Sequence, residues 1–313
     1  MIVTVTLNAM LDKTVQLKSL RRGTIQRATG LSMVAGGKGI NVSRQLRILG
    51  ASTVATGFLG GETGAMIRKS LEADAIPHDF FETASLTREG VTYREANGMV
   101  TSVFEPPGLV TAREAQQLVA KVVEMMPRSS WVVCSGSSPC HEADDVFRRT
   151  IAEARRQGKK TVLDSYGLPL RQAWNEAPTL VKPNRHEYGT TFGKNLRGIR
   201  SIRGAIDEAL ELGIEYVVMT DGAGPTYAGS REGYWKITSP RVRTINPIGS
   251  GDAMVAGMLY ALEQGHSFER ALVFGSAAGT ANAQVWDVAR SPLAEITALE
   301  PRIRIERLAW NRT

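Results

Sequence analysis

The sequence predicts an α/β protein: a central, mostly parallel β-sheet with helices on both faces and a small second sheet set apart from it. Three observations carry that prediction. From about residue 51 onward, short apolar runs alternate with amphipathic segments, the pattern of repeated βαβ units. Two glycine-rich turns, at 36–39 and 249–251, each open directly into a helical pattern. Two segments of polar alternation, within 12–20 and 88–104, interrupt the βαβ series without a helix of the main series after them.

In chain order the strand candidates are 2–7, 53–58, 131–135, 161–164, 179–182 and 216–220, each a short apolar run. The helix candidates are 40–49, 63–73, 112–125, 144–157, 202–212, 252–263 and 268–285. In the third of these, Ala115, Leu118, Val119, Val122 and Met126 recur on one face. Residues 91–104 are expected to form a hairpin turning at Asn97-Gly98, a pair suited to a tight turn. With 12–20 it would make a small sheet projecting as a lid; the alternative is an antiparallel extension of the main sheet. The sequence shows no repeat, low-complexity tract or linker. Residues 1–313 therefore read as one domain with a discontinuous lid from about 12–20 and 88–104.

Composition narrows the function classes. Of the 313 residues 42% are hydrophobic and 22% charged, the balance of a soluble globular chain. No apolar run approaches a membrane span, and the stretch 1–7 is too short for a signal peptide. The two cysteines, Cys134 and Cys140, and the four scattered histidines give no metal-ligand spacing and no disulfide framework. A reducing cytoplasm is the expected setting. The net charge of +7 comes from basic clusters that lie far apart and lack interleaved aromatics, which argues against a nucleic-acid partner. A positive field also suits an enzyme for anionic substrates.

The densest chemistry lies in Asn246-Pro-Ile-Gly-Ser-Gly-Asp-Ala-Met-Val-Ala-Gly257. Small residues at Gly249, Ser250 and Gly251 let backbone N–H groups converge at a helix start, where the dipole favours an anion. Asp252 sits in the middle of this receptor, poorly placed to bind phosphate and well placed to take a proton from an attacking hydroxyl. At a helix N-terminus its pKa is expected to be lowered. The alternative is a plain helix cap. A second turn, Ala35-Gly-Gly-Lys-Gly-Ile-Asn-Val-Ser-Arg44, lets a ligand approach the backbone at Gly37. Lys38 offers a cation there and Asn41 an amide to a polyol. It lacks the spacing of a Walker A loop. Asn8 and Asp12 follow the first strand at the end where ligands bind in parallel sheets, as a sugar site or a surface turn. In Leu180-Val-Lys-Pro-Asn-Arg-His-Glu187, Asn184 and Glu187 fit a water-mediated Mg²⁺ site or a capping box, and the two roles can coexist.

Together these residues resemble the ribokinase-like PfkB carbohydrate kinases, in the branch of 1-phosphofructokinases and tagatose-6-phosphate kinases. Thr6-Leu-Asn-Ala-Met-Leu-Asp12 is similar to the branch's TLNPALD, and residues 35–44 to AGGKGINVAR. Cys134-Ser-Gly-Ser-Ser-Pro139 resembles SGSLP, Lys182-Pro-Asn184 with Glu187 resembles KPNxxE, and residues 246–257 resemble NxxGAGDSxxAG. The resemblance covers essentially the whole chain.

It implies a ribokinase-like three-layer α/β/α sandwich with a β lid. Asp252 would be the catalytic base, with Gly249, Ser250 and Gly251 as the anion hole. Asn8, Asp12, Gly37, Lys38, Asn41 and Ser137 would hold the sugar, with Arg88 and Arg27 on its phosphate. Lys182, Asn184, Thr220, Gly222, Gly224 and Asn282 would line the ATP site, with Glu187 and Asn184 at Mg²⁺. The implied reaction is transfer from ATP to a ketohexose phosphate, fructose 1-phosphate first. Tagatose 6-phosphate, fructose 6-phosphate and an unphosphorylated sugar or nucleoside are the alternatives. A homodimer through the lid is expected, on Val15, Leu17, Val100, Val103 and Phe104. The chain departs from the pattern at Ala9-Met10, Ser138, Cys140-His141, Tyr166, Gly90, Thr92 and Ala253, mostly in loops that would shape the sugar pocket.

Overall fold

The computed structural model describes residues 1–309. The chain runs β1 (Ile2–Thr6), β2 (Met10–Leu17), β3 (Gly30–Gly36), α1 (Lys38–Ile48), β4 (Thr53–Leu59), α2 (Gly61–Ala73) and β5 (Phe81–Glu82). It continues with β6 (Glu89–Glu95), β7 (Val100–Phe104), α3 (Ala112–Met125), β8 (Trp131–Ser135), α4 (Val146–Arg156) and β9 (Lys160–Asp164). Then come α5 (Gly167–Trp174), β10 (Leu180–Val181), α6 (Arg185–Phe192), α7 (Ile199–Glu211), β11 (Tyr216–Met219), β12 (Thr226–Ser230) and β13 (Gly233–Thr238). The described chain ends with α8 (Ser250–Glu263), α9 (Phe268–Ala283), α10 (Leu293–Leu299) and β14 (Arg304–Leu308).

Ten strands form the main sheet in the order β14-β13-β12-β11-β10-β9-β8-β1-β4-β5. Pairing is parallel from β11 through β5 and antiparallel from β11 through β14. Alternation along the central strands explains the two helical layers, because successive side chains leave opposite faces. Val3, Val5, Val132, Cys134, Leu163, Val181, Val217 and Met219 join the core under α3 to α7. Their neighbours Ile2, Trp131, Val133, Val162, Leu180 and Val218 join the core under α1, α8, α9 and α10. Strands buried on both faces read as continuous apolar runs, as these do. The expected three-layer α/β/α sandwich is the observed one.

The second sheet has four strands in the order β3-β2-β6-β7. The segments 12–20 and 88–104 supply β2, β6 and β7; β3 was not expected, since its sequence leads straight into the glycine-rich turn. Its root packs through Leu11 and Ala35, alongside Ile40 of α1, onto Ile67 and Leu71 of α2. The two-residue β5, the antiparallel strands β12 to β14 and the helices α5 and α10 also add to the predicted set. Among the described residues, no helix is long and apolar enough to cross a membrane.

Candidate active site

The candidate residues gather at the carboxyl ends of β1, β8, β9, β10 and β11, with the N-termini of α1, α6 and α8 aimed at the same region. In a parallel sheet this is where loops diverge and leave a crevice. Gly37 and Gly39 make the approach of α1 possible: a Cβ at either would lie 2.7 or 2.5 Å from the Thr6 side chain on β1. Gly37 also takes φ 131°, a conformation that other residues rarely adopt.

At α8, Gly249 is the cap residue with φ 78°, and a Cβ there would meet Val288 at 2.2 Å. The Ser250 N–H donates to the Pro247 carbonyl at 3.2 Å. The N–H groups of Gly251 and Asp252 find no acceptor among the described residues, as expected for a first helical turn. These two N–H groups stand open at the helix start where an anion receptor was expected, whereas the Ser250 N–H is already taken.

Asp252 is buried, and its Oδ2 accepts a hydrogen bond of 2.8 Å from Asn41 Nδ2. Its pKa is raised to about 6, against the lowered value expected at a helix N-terminus. Burial is the main cause, and the charge of Asp164 adds to it; Lys38, Asn41 and Lys182 pull the other way without cancelling it. The helix dipole loses to desolvation here.

Lys38 bridges two carboxylates, donating to Asp164 Oδ1 at 3.3 Å and Glu187 Oε1 at 3.1 Å. Burial alone would lower its pKa, but Asp164, Glu187 and Asp252 carry it above the ordinary value. Lys182 Nζ lies 3.4 Å from the same Asp164 oxygen, and a Cβ at Gly251 would sit 3.1 Å from that ammonium. Two ammoniums thus face three carboxylates. Burial works against ionised Asp164, but Lys182 and Lys38 hold its pKa below the ordinary value. Its Oδ2 is buried without a partner.

The motif 182–187 forms the capping box: Asn184 accepts from the Glu187 N–H at 2.8 Å and its own N–H donates to Glu187 Oε2 at 2.8 Å. Asn184 therefore spends its oxygen on the helix and orients Glu187, whose second oxygen meets Lys38. Among the described residues no cluster of three ligating side chains is preformed for a metal. Mg²⁺ does not need one, because it keeps several waters and takes few carboxylates. The oxygen donors of Glu187 and the unpartnered Asp164 oxygen suit that ion.

On the other side, Asn8 Nδ2 donates to Ser137 Oγ at 3.1 Å, and an Arg88 terminal nitrogen reaches the Asn8 carbonyl at 3.5 Å. Arg88 is half-buried with Nε unpartnered, so it retains donors for an anion. Asp12, on β2, holds a buried unpartnered Oδ1, and its pKa is raised by burial despite Arg44. Arg27 is exposed on the β2–β3 connection, and no hydrogen bond or ion pair joins it to this group.

Thr220 pairs with Asn184 in an isolated bridge at the end of β11, and Gly222 and Gly224 form the tight turn that follows. Asn282, expected near the nucleotide, has its amide engaged within the protein. It is 1% exposed, donates to the Ile248 carbonyl at 2.8 Å and Ser250 Oγ at 3.1 Å, and accepts from the Ala289 N–H at 2.6 Å. The NH2 end of its amide braces the turn into α8, and the oxygen holds the segment after α9. Asp164 was not among the expected site residues, although an acid ending an apolar parallel strand is a recognisable signal.

A buried carboxylate beside free helix N–H groups, faced by two ammonium groups, is suited to moving a phosphoryl group. Comparison with known proteins agrees. The chain belongs to the pfkB family of carbohydrate kinases, whose model matches residues 5–293, and it is a phosphotransferase. It is 30% identical, over 90% of its length and 92% of the relative's, to a tagatose-6-phosphate kinase of Staphylococcus epidermidis. A Thermotoga maritima structure described as a possible 1-phosphofructokinase superposes with TM-score 0.89 at 26% identity, covering 98% of this chain and 99% of that one. Phosphofructokinase-2 from Escherichia coli in complex with potassium gives TM-score 0.90 at 27% identity over 96% and 98% of the two chains. Ribokinase of Arabidopsis thaliana, at 18% identity, TM-score 0.77 and coverage of 96% and 98%, shares the fold.

Proposed function

We propose that the protein transfers the γ-phosphoryl of ATP to a primary hydroxyl of a ketohexose phosphate, fructose 1-phosphate being the assigned acceptor and fructose 1,6-bisphosphate the product. The observation that carries this reading is Asp252: a buried carboxylate of pKa about 6 beside the unpaired N–H groups of α8. A base of that strength is ionised at neutral pH and can still accept a proton from an attacking hydroxyl. The Gly251 and Asp252 N–H groups are aimed where charge develops on the phosphoryl oxygens.

Asn8, Asp12, Gly37, Lys38, Asn41 and Ser137 orient the sugar in this reading, and Arg88 clamps its existing phosphate. Arg27, lying on the β2–β3 connection, is a second phosphate contact only if that connection folds inward. Lys182, Thr220, Gly222 and Gly224 line the nucleotide. Mg²⁺, when bound, offsets nucleotide phosphate charge; Glu187, through water, and Asp164 would hold it, with Asn184 setting the Glu187 carboxylate. The four-stranded sheet acts as a lid that excludes water, the competing acceptor.

The Asp252→Asn variant is expected to lose turnover by several orders of magnitude while still binding nucleotide and sugar. A near-normal turnover number would remove Asp252 from the role of base. A coupled assay with fructose 1-phosphate, fructose 6-phosphate, tagatose 6-phosphate and unphosphorylated fructose fixes the acceptor. The tagatose-6-phosphate kinase relative favours tagatose 6-phosphate as the second reading. Preferred turnover of unphosphorylated fructose would overturn the phosphate clamp at Arg88.

A further inference from the structure

Arg44, on α1, is the one arginine among the described residues that is buried, at 2% exposure. A guanidinium offers five N–H donors and no acceptor, so a buried one dictates the orientation of every group it touches. Nε donates to Asp74 Oδ2 at 2.9 Å, and one terminal nitrogen to the Ala35 carbonyl at 2.6 Å. The other terminal nitrogen donates to Asn41 Oδ1 at 2.9 Å. The remaining oxygen of Asp74 takes Arg290 at 2.5 Å, which anchors the guanidinium from outside.

Asn41 has one orientation that satisfies both neighbours. Its oxygen must face the donors of Arg44, which turns its NH2 group to Asp252 Oδ2 at 2.8 Å. The reversed amide would set its oxygen against a carboxylate oxygen and its NH2 against a guanidinium. We propose that Arg44 is a positioning residue for phosphoryl transfer: it fixes the Asn41 amide so that Asp252 meets a donor and is held ionised and in place. The inference rests on Asp252 as the base.

Without Arg44 the Asn41 amide can turn, and its oxygen then pairs only with protonated Asp252. The hydrogen bond from Asn41 stabilises the charged carboxylate, and Asp164, Lys38 and Lys182 face the same group from β9, α1 and the segment just after β10. None of those three touches Arg44, so their influence survives its replacement. A purely structural role, tying α1 to Asp74 at the end of α2, predicts a loss of stability with no change in the titration of Asp252.

Two measurements separate these roles: carbon-13 titration of the Asp252 carboxyl in the free enzyme, and kcat against pH with the best ketohexose phosphate of the panel above. In Arg44→Met both the titration and the acid limb are expected to move up by about one pH unit, the worth of one hydrogen bond to an ionised group. Arg44→Lys, which can satisfy some of the three acceptors, should fold and show a smaller shift. Asp74→Asn, which leaves Arg44 on Asn41, should lower the melting temperature without moving either curve. Adding Arg44→Met to Asn41→Leu should add no further shift, because the first acts through the second. An Asp252 titration unchanged in both Arg44 variants overturns the proposal. An active Asp252→Asn enzyme would instead remove the base assignment and leave the titration result standing.

Discussion

As the proposed base, Asp252 would have to be ionised to act and buried to be selective, and these demands oppose each other. The compromise is a pKa of about 6, set by burial and Asp164 against Lys38, Asn41 and Lys182. Turnover should therefore fall about tenfold per pH unit below that value, as the base is protonated. Stability follows with a definite sign. The folded-state pKa lies above the ordinary 3.8, so folding gains from a proton on Asp252 below about pH 4, and that gain is lost as pH rises through about 6. At neutral pH the native chain carries a penalty of up to about 3 kcal/mol that Asp252→Asn removes. The variant is thus expected to melt higher than the parent at pH 8 and together with it at pH 4, in calorimetry at both. Asp164 acts oppositely: its pKa is held down, so its contribution is present at neutral pH and lost on acidification below the ordinary carboxylate range. Asp252 itself was legible in the sequence, but its pKa was not. The helix dipole is visible in a motif, whereas the buried Asp164 beside it arrives from β9, 88 residues earlier in the chain.

At the scale of elements, α1, α6 and α8 start in different ways for different tasks. Residues 249–251 leave N–H groups open, whereas α6 closes its first turn with the Asn184–Glu187 box. Asn184→Ala removes that cap, at a cost of about 1 kcal/mol, and releases Glu187 from its orientation. We expect a melting-temperature drop of a few degrees and a rise in KM for MgATP that exceeds any rise for the sugar. Asn184→Asp, which can still cap, should recover most of both. Equal effects on the two KM values would detach Glu187 from the nucleotide side. The elements that escaped the sequence have physical reasons. In β12, Gly229 stands where a Cβ would meet Ile206 of α7 at 2.3 Å, so close helix packing removed the apolar signal. In β14, Arg304–Leu308 is an edge strand with charged residues at three of its five positions, which protects an edge and hides a strand at once. The parallel strands were legible because burial on both faces leaves them apolar throughout.

For the whole molecule, the second sheet has two faces with unlike chemistry. Register places Lys13, Val15, Leu31, Met33, Val91, Tyr93 and Val103 on one face, and Asp12, Thr14, Thr92 and Ser102 on the other, together with Val100 and Phe104, which were expected on the partner surface. Leu31, Met33 and Val103 are 58%, 42% and 60% exposed, whereas Leu17, expected on the outer surface, is buried at 7%. The apolar surface for a partner is therefore centred on β3 and the odd positions of β2, β6 and β7. Exposed apolar clusters of this kind mark interfaces, and a closed homodimer covers one with a second copy of itself. The opposite face carries Asp12, so a partner held on the outer face would stiffen the sheet that carries this proposed sugar contact. We expect the protein to sediment as a dimer at micromolar concentration. Leu31→Asp with Val103→Lys should shift it to the monomer mass and raise the KM for the sugar more than it lowers kcat. A parent that sediments as a monomer, or a double variant that stays dimeric, would remove this face from any role in assembly.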